Sequence, residues 1–237
     1  MTGHATPPTY VLDGEVAVVT LDDGRANALS TTTVTTLDGF LDQLEADGAR
    51  ALVVQGRPGR FSAGFDLAEM TASSESMRAL VGRGARWLLR LYGLGVPTVA
   101  ACTGHALAAG ALALLASDVR IGADVAAKIG LNEVAIGMAL PVFAVELARD
   151  RLVPASFGTA TMGGQVHDPA GAVTVGFLDR LVPADELADA AMAEARRLAE
   201  LRTGAYARTK ANARREMIAR TLATLDADLA GIEAPAG

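Results

Sequence analysis

Residues 96–116 carry no formal charge, and no other stretch constrains the fold as strongly. The length alone would suit a membrane span. Pro97, Gly104, His105 and Gly110 interrupt it, however, and most of its residues are small. These interruptions predict a buried strand over residues 98–102, stopped off from what precedes it by Gly95 and Pro97, and then a buried small-residue helix over residues 107–116. A strand buried on both faces belongs to a parallel sheet covered by helices. The hydrophobic content of 51%, drawn largely from Ala and Val, fits that packing.

The rest of the first half has the same alternation. Residues 15–21 and 51–55 are Val-rich runs that end in turns, and residues 119–123 make a fourth strand. Between the first two, Ser30 is placed to cap a helix to about residue 46, with Val34, Leu37, Leu41 and Leu44 at helical spacing. A second helix is expected over residues 75–92. Strands alternating with helices predict an α/β protein with a largely parallel sheet and right-handed crossovers. From residue 141 onward the pattern is helical apart from a short strand over residues 177–182, and residues 231–237 are read as a frayed end. The chain divides into a core over residues 1–183 and a helical region over residues 184–237.

Composition excludes several functions. With 237 residues, a net charge of −6 and no basic stripe, a nucleic-acid surface is not expected. The basic residues cluster late, at Arg196, Arg197, Arg208, Lys210, Arg214, Arg215 and Arg220, either as a solvated face or as contacts to the phosphates of an anionic ligand. Cys102 stands alone, which removes disulfides and cysteine zinc sites, and is read as a small buried residue. His4, His105 and His167 lack metal-ligand spacing, and no Gly-x-Ser-x-Gly elbow occurs. Residues 1–8 show no signal-peptide pattern, so a cytoplasmic location is expected, without a membrane partner.

The chemistry concentrates in three places. Glu133 is the one carboxylate in residues 128–138, a run otherwise made mostly of small and apolar residues, which makes it the candidate for a perturbed acid or base. Burial among Ile129, Leu131, Val134 and Ile136 is expected to raise its pKa. Ala63-Gly64-Phe65 and Ala108-Ala109-Gly110 are small-residue segments whose backbone N–H groups suit an anionic oxygen, the second at a helix start. A thioester has an acidic α carbon, and removing its proton places charge on the carbonyl oxygen. A base beside two such donors suits that reaction, and losing one donor typically costs about 3 to 4 kcal/mol. Asp66 is read as a helix cap and His105 either as a ligand-facing or as a core histidine.

In order, Arg25-Ala26-Asn27-Ala28-Leu29, then Phe61-Ser62-Ala63-Gly64-Phe65-Asp66-Leu67, then residues 104–110, 130–137 and 170–182 resemble the crotonase superfamily of enoyl-CoA hydratases and isomerases. The resemblance implies a crotonase (ClpP-like) spiral of ββα units with two packed sheets and a C-terminal helical region that builds a homotrimer or dimer of trimers. It implies an acyl-CoA substrate of fatty acid metabolism and no separate cofactor or metal. The oxyanion donors would be the N–H groups of Phe65 and Ala109. Ala26 and Ala63 would meet coenzyme A through backbone groups, with Lys210 and Arg25 at its phosphates.

Hydratases of this family use two glutamates to hold water. One corresponds to Glu133; the other position is Leu112, which can neither orient water nor carry a proton. A single glutamate resembles instead the mitochondrial type of Δ3,Δ2-enoyl-CoA isomerase, whose motifs the wording Ile-Gly-Leu-Asn-Glu also matches. Three readings follow: an isomerase with Glu133 as its base, a hydratase in which Glu69 or Glu75 supplies the missing carboxylate, and an acyl-CoA-binding protein without chemistry.

Overall fold

The computed structural model describes residues 6–232; His4, the start of the N-terminal stretch and residues 233–237 lie outside the described residues. In chain order the elements are β1 Thr9–Asp13, β2 Val16–Leu21, β3 Ala28–Leu29, α1 Thr31–Ala46, β4 Ala51–Gly56, β5 Gly59–Ser62, β6 Gly64–Phe65, α2 Leu67–Ala72, α3 Ser74–Gly93, β7 Thr98–Cys102, β8 Gly104–Leu107, α4 Ala109–Ala116, β9 Val119–Ala123 and β10 Ile129–Gly130. There follow α5 Val142–Arg151, α6 Phe157–Ala160, α7 Pro169–Val175, β11 Arg180–Val182, α8 Leu187–Ala199 and α9 Thr203–Ala230.

A six-stranded sheet runs β1-β2-β4-β7-β9-β11, and a three-stranded sheet runs β10-β8-β5. All pairings in these sheets are parallel except the β1–β2 hairpin at the edge. The pairs β4 and β5, β7 and β8, and β9 and β10 each give one strand to the large sheet and one to the small sheet before the chain turns into a helix. This repetition is the expected spiral of ββα units. It corrects two boundaries: residues 104–107 form a strand, so the helix expected from residue 107 starts at Ala109, and the turn expected at residues 56–60 already contains the start of β5.

The inner strands of the large sheet, β2, β4, β7 and β9, are buried on both faces, as their continuous apolar runs require. Ala17, Val19, Leu52, Val54 and Ala100 face one core, shared with α1, α3 and α4; Val16, Ala51, Val53, Val99 and Ile121 alternate with them toward α8. Ser30 caps α1 by accepting from Thr33 N, and Val34, Leu37, Leu41 and Leu44 are its buried positions. All of α4 is buried, and no helix among the described residues is long and apolar enough to cross a membrane. Within the small sheet β5 and β8 approach closely at their start: Gly59 and Gly104 are register partners, and a Cβ on Gly104 would strike the backbone of Gly59. Cys102 is buried, its thiol donating to Gly104 O at 3.2 Å.

Candidate active site

The first two candidate segments are bolted together by one asparagine. Asn27 sits at φ 54, a left-handed conformation that Asn tolerates. Its buried amide donates to Leu21 O at 2.8 Å and Arg60 O at 3.0 Å and its side-chain oxygen accepts from Asp23 N at 3.0 Å. Ser62 Oγ donates to Asn27 O at 2.7 Å, and Ala63 N donates to Ala26 O at 3.0 Å. Ala26 and Ala63, both expected to meet coenzyme A, are therefore bonded to each other through one backbone group of each. Beyond them β3 and β6 pair in parallel, with Asp66 N donating to Leu29 O at 3.1 Å. Successive N–H groups of an extended strand point to opposite edges. The N–H of Phe65 accordingly points away from β3. Its ring lies where Gly84 of α3 leaves space, since a Cβ there would strike it.

Gly64, at φ +95, touches the third segment: a Cβ on it would lie 2.9 Å from Ala108 Cβ and 3.2 Å from Ala109 N. Ala109 opens α4, so its N–H has no partner within the helix, and the helix dipole makes that end favourable to negative charge. Ala108 is held at φ 50 and ψ −124, a conformation that strains any residue with a Cβ and that structures tend to keep at functional positions. Its N–H donates to Gly130 O at 3.0 Å and its carbonyl accepts from Leu112 N at 3.0 Å. The helix start is thus fixed to β10, the strand that delivers Glu133.

Glu133 opens a 3-10 turn over Val134–Ile136. Its own carbonyl accepts from Ile136 N at 3.0 Å and Met138 N at 2.9 Å, while its Oε2 is buried without a hydrogen-bond partner among the described residues. The side chain lines a narrow cavity of about 30 Å3 with Phe65, Leu112, Met138 and Phe143. Burial, opposed only by a bond to its own backbone, pushes the Glu133 carboxyl from 4.5 up to about 7. The neighbours expected to cause this are not all the right ones: Val134 is 43% and Ile136 55% exposed, because the 3-10 turn carries them to the outer side. The apolar walls come from α3, α4 and α5 instead.

Leu112, 2% exposed, lies in the same cavity one turn along α4 from Ala109. Glu133 is the one carboxylate among the described residues that line it. Neither reserve carboxylate reaches it. Glu69 accepts from Thr31 N at 3.1 Å and Thr31 Oγ1 at 2.6 Å, tying α2 to the start of α1, and Glu75 lines an outer groove. Asp66 caps α2 by accepting from Glu69 N at 3.0 Å, as expected. His105 accepts from Lys128 N at 3.1 Å and lines an open cleft away from Glu133. No group of three His, Cys, Asp or Glu among the described residues is arranged to hold a metal.

Arg25 and Ala26 line a separate cleft of about 330 Å3 with Pro7, Asp23, Thr33 and Asp66. Lys210 is not there. It is 6% exposed, and its Nζ donates to Asp118 Oδ2 at 2.7 Å and Val96 O at 3.2 Å. In this structure Lys210, expected to contact a phosphate, is engaged in an internal ion pair. The reason is Asp118, which follows the uncharged run into the interior. Burial opposes its charge, but Lys210 and Arg214 outweigh that and hold its carboxyl below the usual range, with Tyr206 Oη donating at 2.8 Å. Of the other late basic residues, Arg196, Arg197 and Arg220 pair with surface carboxylates.

A family model for enoyl-CoA hydratase/isomerase matches residues 12–234. The chain belongs to the enoyl-CoA hydratase/isomerase family. Its crotonase fold superposes on an apo enoyl-CoA isomerase of Mycobacterium tuberculosis with a TM-score of 0.90 at 33% identity, covering 95% of this chain and 98% of that one. The human mitochondrial delta3-delta2-enoyl-CoA isomerase gives a TM-score of 0.90 at 30% identity, covering 95% and 90%. Over 181 residues the chain is 33% identical to human mitochondrial enoyl-CoA delta isomerase 1, covering 75% of this chain and 60% of that relative. It is 37% identical over 139 residues to a probable enoyl-CoA hydratase of Bacillus subtilis, covering 57% and 53%. The chain thus spans a little over half the length of these two relatives. Both activities are named at similar identity, so the choice between them rests on the side chains of the cavity.

Proposed function

We propose that this family member is a Δ3,Δ2-enoyl-CoA isomerase in which Glu133 is the single acid and base. The observation that carries the reading is the pairing of Glu133 with Leu112 in one narrow apolar cavity, lined by no other carboxylate among the described residues. Hydration needs a water held and activated by two groups; Leu112 offers none. Moving a double bond needs one group that takes a proton and gives it back.

In this reading the thioester oxygen lies between the N–H groups of Phe65 and Ala109. Glu133, ionised, removes a proton from the α carbon; the electron pair passes into the carbonyl, and the resulting dienolate oxygen is stabilised by the two donors. The protonated Glu133 then returns the proton to the γ carbon, and the double bond settles in conjugation with the thioester. A carboxyl with a pKa near 7 suits both directions of transfer, and general acid–base catalysis of this kind contributes roughly two to four orders of magnitude. Coenzyme A itself is a part of the substrate, and no other cofactor takes part. The cleft at Arg25 and Ala26 supports the placement of its nucleotide end. Assembly into a trimer or dimer of trimers belongs to the same reading.

The test follows the absorbance of the conjugated thioester with two substrates. A rise with a trans-3-enoyl-CoA and little fall with a trans-2-enoyl-CoA is expected. A rapid fall with the trans-2 substrate would make the protein a hydratase, and silence with both while acyl-CoA still binds would make it a binding protein.

A further inference from the structure

Helices α1 and α3 pack side by side, and Ala79, Arg83, Arg86, Trp87 and Arg90 form one stripe of α3 at helical spacing. Towards the end of both helices this stripe is matched by acids of α1: Arg90 donates to Asp38 at 3.1 Å and to Asp42 at 2.6 Å, with Glu45 at 3.7 Å. Towards the start the match fails. There α1 presents Thr35, whose hydroxyl already donates to Thr31 O at 2.8 Å. The helices part at this point around a cleft of about 380 Å3, lined by Thr35, Asp38, Ala79, Arg83, Arg86 and Trp87.

The cleft carries more donors than acceptors. Arg83 is exposed and makes no hydrogen bond or ion pair among the described residues. Arg86 donates to Gly82 O at 3.0 Å and to Asp226 at 2.7 Å, but the latter is a surface pair of two largely exposed side chains, and such pairs are weak. Trp87 is only 3% exposed, and its indole N–H is buried without a partner among the described residues. A buried donor left unpaired is costly, and a buried tryptophan usually finds an acceptor for its N–H. The one carboxylate lining the cleft, Asp38, is held by Arg90. None of the lining residues is shared with the Glu133 cavity or with the cleft at Arg25 and Ala26.

We propose that the α1–α3 cleft is a binding site for a phosphoryl group, as inorganic phosphate or a small phosphate monoester, with Arg83 and Arg86 supplying charge and Trp87 the inner hydrogen bond. Guanidinium forks match phosphate oxygens, and donors from three side chains suit a tetrahedral oxyanion better than a planar carboxylate. The ligand supplies the acceptor that α1 lacks at this point, as Asp38 and Asp42 supply it to Arg90. The site is separate from the enoyl-CoA chemistry and does not rest on it.

Trp87 is the only tryptophan of the chain, so its indole N–H gives a single resonance that reports the site directly. The experiment follows that resonance in proton–nitrogen correlation spectra while inorganic phosphate, methyl phosphate or free CoA is added at constant ionic strength. It compares the wild type with Arg83→Ala and Arg208→Ala. Arg208 is exposed on α9 and does not line the cleft, so its replacement controls for the loss of one positive charge. A saturable shift with phosphate or methyl phosphate is expected in the wild type and Arg208→Ala. Arg83→Ala should weaken it at least about tenfold, the effect of one lost charge-assisted contact. Tighter binding of one of the two probes tells whether the group is taken free or on an ester, and either order supports the site. No saturable shift with either probe, or an equal one in Arg83→Ala, would overturn the proposal. A shift with CoA alone would trace the change to the substrate site and overturn it as well.

Discussion

Replacing Glu133 by Gln should change how stability depends on pH, and the cavity sets the size of the change. The folded state holds the carboxyl at about 7 against an ordinary value of 4.5. At 1.36 kcal/mol per unit this is about 3 kcal/mol of preference for the protonated form. Because the folded pKa is raised, this stabilisation is fully present below 4.5 and is lost as pH rises through about 7. Gln is close in shape and never ionises. Any constant cost of its amide in an apolar cavity cancels when each protein is compared with itself at two pH values. Urea denaturation of both proteins from pH 5 to pH 8, at one protein concentration, should show Glu133→Gln gaining about 2.5 kcal/mol on the wild type across that range, since part of the effect is already lost at pH 5. A difference that stays flat from pH 5 to 8 would refute the claim that burial perturbs this carboxyl.

Three further outcomes follow from the same geometry. With the isomerase substrate, kcat/KM should climb as pH rises through about 7, because Glu133 must be ionised to remove the α proton; a profile that is flat from pH 5.5 to 8.5 would contradict this. Ala109→Pro deletes one N–H at the first position of α4, where proline is tolerated, and should lower kcat by about 10²- to 10³-fold with an unchanged circular dichroism spectrum. Asp118→Asn leaves Lys210 and Arg214 without their carboxylate and should cost about 3–5 kcal/mol in urea denaturation.

The large sheet was legible because burial on both faces writes continuous apolar runs into β4, β7 and β9. The small sheet was not. β5, β8 and β10 are only two to four residues long and contain glycine for close approach, so their segments read as turns or as the start of a helix. β1 escaped for another reason: it is an edge strand with mostly exposed side chains, and it has no buried face to produce alternation. Glu133 stood out as a lone carboxylate in a small apolar run, and Leu112 by its register after Gly110. The source of the burial was hidden, because a 3-10 turn rather than a strand carries Val134 and Ile136 outward. The ion pair of Lys210 was not legible because its partner Asp118 lies 92 residues away in sequence. A carboxylate ending an uncharged run was the available signal.

Turnover of a trans-3-enoyl-CoA by Glu133→Gln, measured beside the affinity of the same protein for a saturated acyl-CoA, tests the single-base mechanism most directly. Loss of roughly two to four orders of magnitude in kcat with affinity kept within a few-fold is the expected result. Turnover that survives the substitution would show that another group moves the proton, and the role assigned to Glu133 would be wrong.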